Sequence, residues 1–350
     1  MTLRIMIDEK RIKSSKLLIT SLLALVFLCT NLSSAFAQDH GEEAEEFNAS
    51  ETIVHHVLDD HIWHFFDGHY GTVYLPIIAY SSEKGLDVFS SRNFYDDHHN
   101  LVDYKGYSLE HGLSITDNHE ASVLDLSMTK NVTTLLIVSL IMILVFTSVA
   151  KGYKTNRGKA PKGIQAVFEP IIVYLRDEVI KPNIGDHYEK FFPYLLTLFF
   201  FILFGNIFGL IPGASNMTGN IAVTLVLALF TFFITNVKGN KGYWGHIFNP
   251  PGVPLWLKPL IVLIEIIGIF TKPISLTVRL FVAITAGHIV MLSLISLTFI
   301  FGSYAVGGAS SLIVLFISLI EILVALIQAY VFTMFSALYI GLATAKAEHH

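Results

Sequence analysis

Residues 274–301 read ISLTVRLFVAITAGHIVMLSLISLTFIF, and residues 312–343 read LIVLFISLIEILVALIQAYVFTMFSALYIGLA. Each exceeds the roughly 20 apolar residues that a helix needs to cross a bilayer. As helices they would be about 42 and 48 Å long. The hydrocarbon layer is about 30 Å thick, so both should tilt or curve. The first carries Arg279 and His288, the second Glu321 and Gln328. A hairpin folded about residue 304, inside the Gly-rich link 302–311, levels His288 with Glu321 and Arg279 with Gln328. Glu321 and Gln328 are seven apart and share a helical face, whereas Arg279 and His288, nine apart, lie on opposite faces.

A charge at bilayer depth costs at least about 2.5–3.5 kcal/mol on insertion scales. Glu and His can shed that cost by changing protonation, but Arg cannot. A permanent cation beside exchangeable groups suits proton handling. Two readings stand for Arg279: that one, and an interfacial arginine snorkelling near Lys272 and Pro273. Glu321 is either a working acid or a carboxyl held neutral between helices; its depth makes snorkelling difficult and favours the first.

Working outward, residues 132–150, 191–211 and 221–237 are further apolar runs, and 257–270 is another, interrupted by Glu265 and ending at Lys272-Pro273. Lys151, Lys154, Arg157, Lys159, Lys162, Arg176, Lys181 and Lys190 follow the first run, and Lys238 and Lys241 follow the third. Basic clusters beside spans mark the cytoplasmic side. The turn 212–219 and the link 302–311 hold no Lys or Arg and fall where outer loops should. Lys346 then places the C-terminus inside. Ile164, Val167, Phe168, Ile171, Ile172, Leu175 and Val179 recur at helical spacing. They predict an amphipathic helix on the membrane surface, interrupted near Pro170.

The whole chain has 350 residues, 53% hydrophobic and 15% charged. That composition excludes a disordered chain, a nucleic-acid binder and a typical cytosolic enzyme. Charge is polarised: residues 38–130 hold 4 Lys/Arg against 18 Asp/Glu, and residues 131–350 hold 14 against 8. The first 37 residues read as a leader, with Lys10, Arg11, Lys13 and Lys16 before an apolar core at 17–29 and Ala35-Phe36-Ala37 as a cleavage pattern. The competing reading is an uncleaved first membrane helix. Cys29 is the only cysteine, so a cleaved chain has no thiol and no cysteine chemistry.

The expected organisation is therefore a leader at 1–37, an acidic, His-rich exported domain at 38–130, and a membrane domain at 131–350. The expected class is an all-α integral membrane protein of five or six membrane helices ending in a long tilted antiparallel hairpin. It adds a cytoplasmic interfacial amphipathic helix and the small N-terminal domain. Runs 72–80 and 86–90 suggest a little sheet there. His55, His56, His61, His64, His69, His98, His99, His111 and His119 enrich this domain. His61, His64 and His69 could draw a metal site, but no spacing fixes a ligand geometry, and a solvated acidic surface titrating near neutral pH is the favoured reading.

Residues 272–281 (Lys-Pro-Ile-Ser-Leu-Thr-Val-Arg-Leu-Phe), then Ala286-Gly287-His288, resemble the signature of subunit a of bacterial F-type ATP synthases. Glu321 to Phe332, with Gln328-Ala329-Tyr330-Val331-Phe332, resembles that family's final helix. Similarity extends upstream through Phe204-Gly205-Asn206, Leu210-Ile211-Pro212 and Gly219-Asn220-Ile221, covering roughly residues 125–345. The resemblance implies a stator channel in a bacterial inner membrane. The family's essential arginine matches Arg279, which would face the c-ring carboxylate and separate two aqueous half-channels. Glu321 and His288 fall at channel positions where many members carry the same residue types interchanged, and Gln328 matches the family's glutamine. Glu265, Ser275 and Asn220 match further half-channel positions. The implied partners are the c-ring, the subunit b peripheral stalk, the remaining F-type subunits and the lipid bilayer, with no cofactor. Ala283 departs from the family, where asparagine is common, and the leader and ectodomain are additions.

Rival readings fit less. A secondary transporter often shows internal repeats, and none is visible. A sensor built around the ectodomain leaves the four levelled polar residues unexplained. No phosphate-binding G-x-x-x-x-G-K-[ST] loop or nucleophile–base motif is present, so ATP chemistry belongs to other subunits.

Overall fold

A computed structural model describes residues 58–64, 72–96, 101–110, 114–117, 123–156, 158–211, 213–301 and 303–345. The expectations for the leader, Cys29, Lys346 and most of the named histidines lie outside the described residues. The chain forms two compact units: residues 1–127, 211–214 and 289–320, and residues 128–210, 215–288 and 321–350.

In the first unit, β1 (Ile62–His64) pairs antiparallel with β2 (Thr72–Tyr74). β3 (Pro76–Ser81) lies between β4 (Gly85–Ser90) and β7 (Val123–Asp125), and β5 (Tyr107–Glu110) pairs with β6 (Ser114–Asp117). Both runs read as strands from sequence are strands, the first divided at Leu75. Strand alternation sends Ile77, Ala79 and Phe89 into a core with Phe94, Tyr107, Leu109 and Ile115. Phe89 meets Phe94 edge-on at 5.5 Å between ring centres. Lys84 closes this core: its Nζ donates to Asp117 at 2.9 Å and lies 4.4 Å over the Tyr107 ring. Trp63 is buried and its Nε1 donates to the Gly213 carbonyl at 2.6 Å.

The second unit is helical. Thr129 caps α1 (Lys130–Thr155), its Oγ1 accepting from the Val132 amide. α2 (Ile164–Tyr174) leads through a π-helical turn at Leu175–Ile180, a helical turn at Lys181–Ile184 and a 3-10 turn at Gly185–His187 into α3 (Tyr188–Gly209). The surface helix expected here therefore runs on into the next membrane helix. Pro170 does not interrupt α2, because one missing donor kinks a helix that packing holds on both sides. The irregularity falls five residues later, in the π-helical turn. Phe146, Phe168, Phe200 and Phe204 interlock α1, α2 and α3, with Phe146 and Phe200 4.7 Å apart. α4 (Ile221–Lys238) is capped by Asn220, and α5 (Lys241–Phe248) by Asn240.

α6 (Lys258–Phe301) and α7 (Tyr304–Thr344) form the closing hairpin, 44 and 41 residues long. The break expected at Lys272-Pro273 is absent: 257–270 and 274–301 are one helix of about 66 Å. Pro273 lacks only its own donor, and its carbonyl still accepts from Thr277 Oγ1 at 2.9 Å. The expected Gly-rich link also shrinks, with Gly307 and Gly308 inside α7. A Cβ on Gly307 would come within 3.0 Å of Thr298, so glycine lets the arms approach near their tip. Farther down, Gly341 meets the Asn183 carbonyl so closely that a Cβ would lie 1.9 Å from its oxygen. Among the described residues, five helices are long and apolar enough to cross a membrane: 130–155, 164–209, 221–238, 258–298 and 306–344.

Candidate functional site

The hairpin register places the ionisable groups. Glu321 lies opposite Gly287, where a Cβ would stand 2.6 Å from its Oε1. Met291 and Ser318, one turn nearer the tip, also meet, with Ser318 Oγ 3.4 Å from the sulfur. The expected register levelled Glu321 with His288; the contacts place Glu321 against the preceding residue, Gly287, and Met291 against Ser318. Glu321 is 3% exposed, and among the described residues neither carboxyl oxygen has a hydrogen-bond partner. A buried carboxyl without a partner is an energetically costly group in an apolar helix. His288, the next residue along α6, is half-buried.

Arg279 sits differently from the expected level with Gln328. Its guanidinium carbon is 4.4 Å from the centre of the Phe335 ring, two turns farther along α7. The reason is side-chain direction. Helical Cα–Cβ bonds tilt toward the N-terminus, so Arg279 leans toward the start of α6, which faces the end of α7. Glu321, Gln328 and Phe335 recur every seven residues and form one line along α7, with Gln328 half-buried. No carboxylate among the described residues pairs with Arg279. The aromatic face holds the cation without neutralising it.

The remaining expected residues separate. Ser275 is half-buried one turn before Arg279. Glu265 acts electrostatically on Lys272 and Tyr243. Tyr243, on α5, has its phenol raised by burial and, secondarily, by the Glu265 charge. Lys272 lies over the Tyr339 ring at 5.4 Å and the Tyr243 ring at 6.0 Å. Asn220 is first of all a helix cap: its Oδ1 accepts from the Ala222 amide at 2.9 Å.

Two polar groupings were missed from sequence. One is a hydroxyl chain joining α3, α4 and α7: Tyr194 OH to Thr231 Oγ1 at 2.8 Å, and Thr231 to Ser336 Oγ at 3.1 Å. Ser336 follows Phe335, and Thr231 and Thr235 line a small cleft with Asn236, Tyr243, Lys272 and Tyr339. Thr235 Oγ1 is buried without a hydrogen-bond partner among the described residues. The other joins buried Asn206 to Thr218, whose Oγ1 donates to Asn206 Oδ1 at 2.7 Å, while Asn206 Nδ2 donates to the Ala325 carbonyl at 3.4 Å. Isolated hydroxyls and amides within apolar runs were the available signal, but each is also compatible with simple helix packing.

His61, of the expected His61, His64 and His69 set, is buried with Nε2 3.3 Å from Asp125 Oδ2. His69 lies outside the described residues, and among those described no group of three or more His, Cys, Asp or Glu could hold a metal.

A membrane protein with an intramembrane cation and a buried carboxyl that both lack a charged or hydrogen-bonding partner among the described residues, with an imidazole on the facing helix, belongs to the class of ion-translocating subunits. The profile of the family described as ATP synthase A chain matches residues 132–341, and that of a domain of unknown function, DUF8433, matches residues 52–135. An ATP synthase subunit a from Chlorobium phaeobacteroides DSM 266 is 42% identical over 320 residues, covering 89% of this chain and 79% of the relative. An ATP synthase subunit a 2 from Chlorobaculum tepidum is 39% identical over 342 residues, covering 95% and 93%. An ATP synthase subunit a from Myxococcus xanthus is 42% identical over 248 residues, covering 69% and 80%. The chain belongs to the ATP synthase A chain family. It is a multi-pass component of the proton-translocating stator of an F-type ATP synthase, not a catalytic subunit.

Proposed function

We propose that Arg279 is the group past which protons cannot flow except by riding on the c-ring, and that Glu321 with His288 serves the outer half-channel. The observation that carries this reading is the guanidinium resting on Phe335 with no carboxylate partner among the described residues. Such a cation is available to a carboxylate brought by another subunit. A rotor acid arriving at Arg279 is drawn into its charged form and releases its proton; on leaving, it must take up another. Glu321 and Gln328, on one face of α7, line the approach to that exchange. On the inner side, Glu265, Lys272, Ser275 and the Thr235–Thr231–Ser336 hydroxyls supply polar footholds toward Arg279. Asn220 contributes by setting the start of α4, beside the Asn206–Thr218 pair.

The same reading orients the chain. The basic segments face the cytoplasm with the C-terminus, the acidic domain faces outward, and the leader is removed on export to the inner membrane. The c-ring meets α6 and α7, and the subunit b stalk holds the chain in place. Val278 and Val282 flank Arg279 and are exposed, which makes them suitable crosslinking sites. Val278→Cys or Val282→Cys in the assembled complex should crosslink to cysteines beside the c-ring carboxylate. Failure of both, in complexes that assemble, would overturn the assignment.

A further inference from the structure

The β4–β3–β7 sheet presents an unusual outer face. Ile78, Tyr80, Leu86, Val88, Leu124 and Leu126 all project from it: Ile78 is level with Val88, and Tyr80 with both Leu86 and Leu124. The Leu126 amide extends the ladder to the Ile78 carbonyl at 2.9 Å. Leu86 is 63% exposed, Val88 60% and Leu124 58%. The open face of an antiparallel sheet in water is ordinarily polar, and this domain has 18 acidic residues over 38–130 from which to build one. Instead the strand acids point the other way. Asp87 accepts from Tyr107 OH at 3.1 Å and from Lys105 Nζ at 3.2 Å, and Asp125 faces His61. Charge has been kept off one face of an acidic domain. Exposed apolar patches of this kind mark interaction surfaces.

Two tethers identify the occupant. β7, which supplies Leu124, ends at Asp125, and α1 begins at Lys130; five residues of extended chain reach at most about 17 Å. Trp63 Nε1 is bonded to the Gly213 carbonyl, in the short connection between two membrane helices. The sheet is thus tied directly to a membrane helix through β7, and the adjoining β1 segment, whose His61 meets Asp125 of β7, is bonded to a connection between two membrane helices. We infer that the Ile78–Tyr80–Leu86–Val88–Leu124–Leu126 face is a lipid-docking surface that rests on the adjacent membrane leaflet, with Tyr80 at headgroup level. An apolar sheet face with an aromatic at its centre suits the headgroup–acyl boundary. Its carboxylate-free composition also avoids repulsion from anionic headgroups. This inference is independent of the proton path.

The test uses the intact complex in vesicles of phosphatidylethanolamine and phosphatidylglycerol. Nitroxides are attached at Val88→Cys and Leu124→Cys in a Cys29→Ser background, with Arg92→Cys as an exposed reference. Transfer from detergent to vesicles should bring a loss of accessibility to an aqueous nickel chelate and a gain toward oxygen at 88 and 124, absent at 92. Retained nickel accessibility means a solvated face, and protection from both reagents means a protein cover, whether a second copy, residues 38–57 or another subunit; either result overturns the inference. A second measurement needs no substitution: a diazirine-bearing phosphatidylethanolamine in the same vesicles should label residues 76–90 and 123–127 of the unmodified chain. Absence of that label also refutes it.

Discussion

Replacing Gly287 by alanine places a methyl carbon 2.6 Å from Glu321 Oε1 and 3.1 Å from its carboxyl carbon. Ordinary contact starts at 3.4 Å, so the carboxyl must withdraw by about 0.8 Å, a distance that side-chain torsion can supply without moving α7. Driving a side chain off its rotamer costs about 0.5–1.5 kcal/mol. If that penalty falls on the protonation step, the rate drops about two- to twelvefold. The assay is ATP-driven acidification of inverted vesicles at matched complex content, with Gly308→Ala as the control because nothing lies within 4 Å of its Cβ position. Gly287→Ala should slow acidification while the control does not. An unslowed Gly287→Ala complex, assembled to the normal level, would refute the placement of Glu321 in the proton path.

Three further outcomes are expected. Gly341→Ala forces a methyl to within 1.9 Å of the Asn183 carbonyl oxygen; overpacking of about 1–3 kcal/mol should lower the melting temperature of the purified complex, and an unchanged melting point would contradict the α7 packing. Thr231→Val breaks both hydroxyl contacts and strands Tyr194 OH and Ser336 Oγ, which should cost about 1–3 kcal/mol, read by the same melt, with Thr231→Ser as the near-neutral comparison. In the sheet domain, burial works to raise the Asp125 carboxyl, but the His61 contact and the Ser127 hydrogen bonds together hold it below its ordinary value. A depressed carboxylate contributes stability above its unfolded pKa and loses that contribution as pH falls through the folded value. Amide exchange in β7 should therefore accelerate on acidification below about pH 4, and Asp125→Asn should flatten the dependence; equal pH profiles would contradict it.

The sequence was most informative where chemistry was sparse. Four polar residues in two apolar runs were enough to fix the hairpin register, and the Gly287–Glu321 and Met291–Ser318 contacts agree with it. Continuity was harder to read. Pro170 and Pro273 both looked like helix ends, yet neighbouring helices support the chain across a single missing donor, a fact of packing rather than of local sequence. The register levels the Arg279 backbone with Gln328, but a long side chain leaning along the helix carries its charge to Phe335. Asn220 matched a half-channel position and turned out to cap α4, since both roles need the same amide. The Tyr194–Thr231–Ser336 chain joins three helices and has no signature in any one of them. The strand runs at 72–80 and 86–90 were legible by alternation. The apolar outer face was not, because β7 completes it from far along the chain.

ATP-driven proton pumping by complexes carrying Arg279→Gln tests the central claim most directly. Glutamine keeps length and hydrogen-bonding capacity but removes the permanent charge. With assembly and soluble ATPase activity intact, pumping should fall to background. Pumping at the unmodified rate would show that coupling does not depend on a fixed cation at this position.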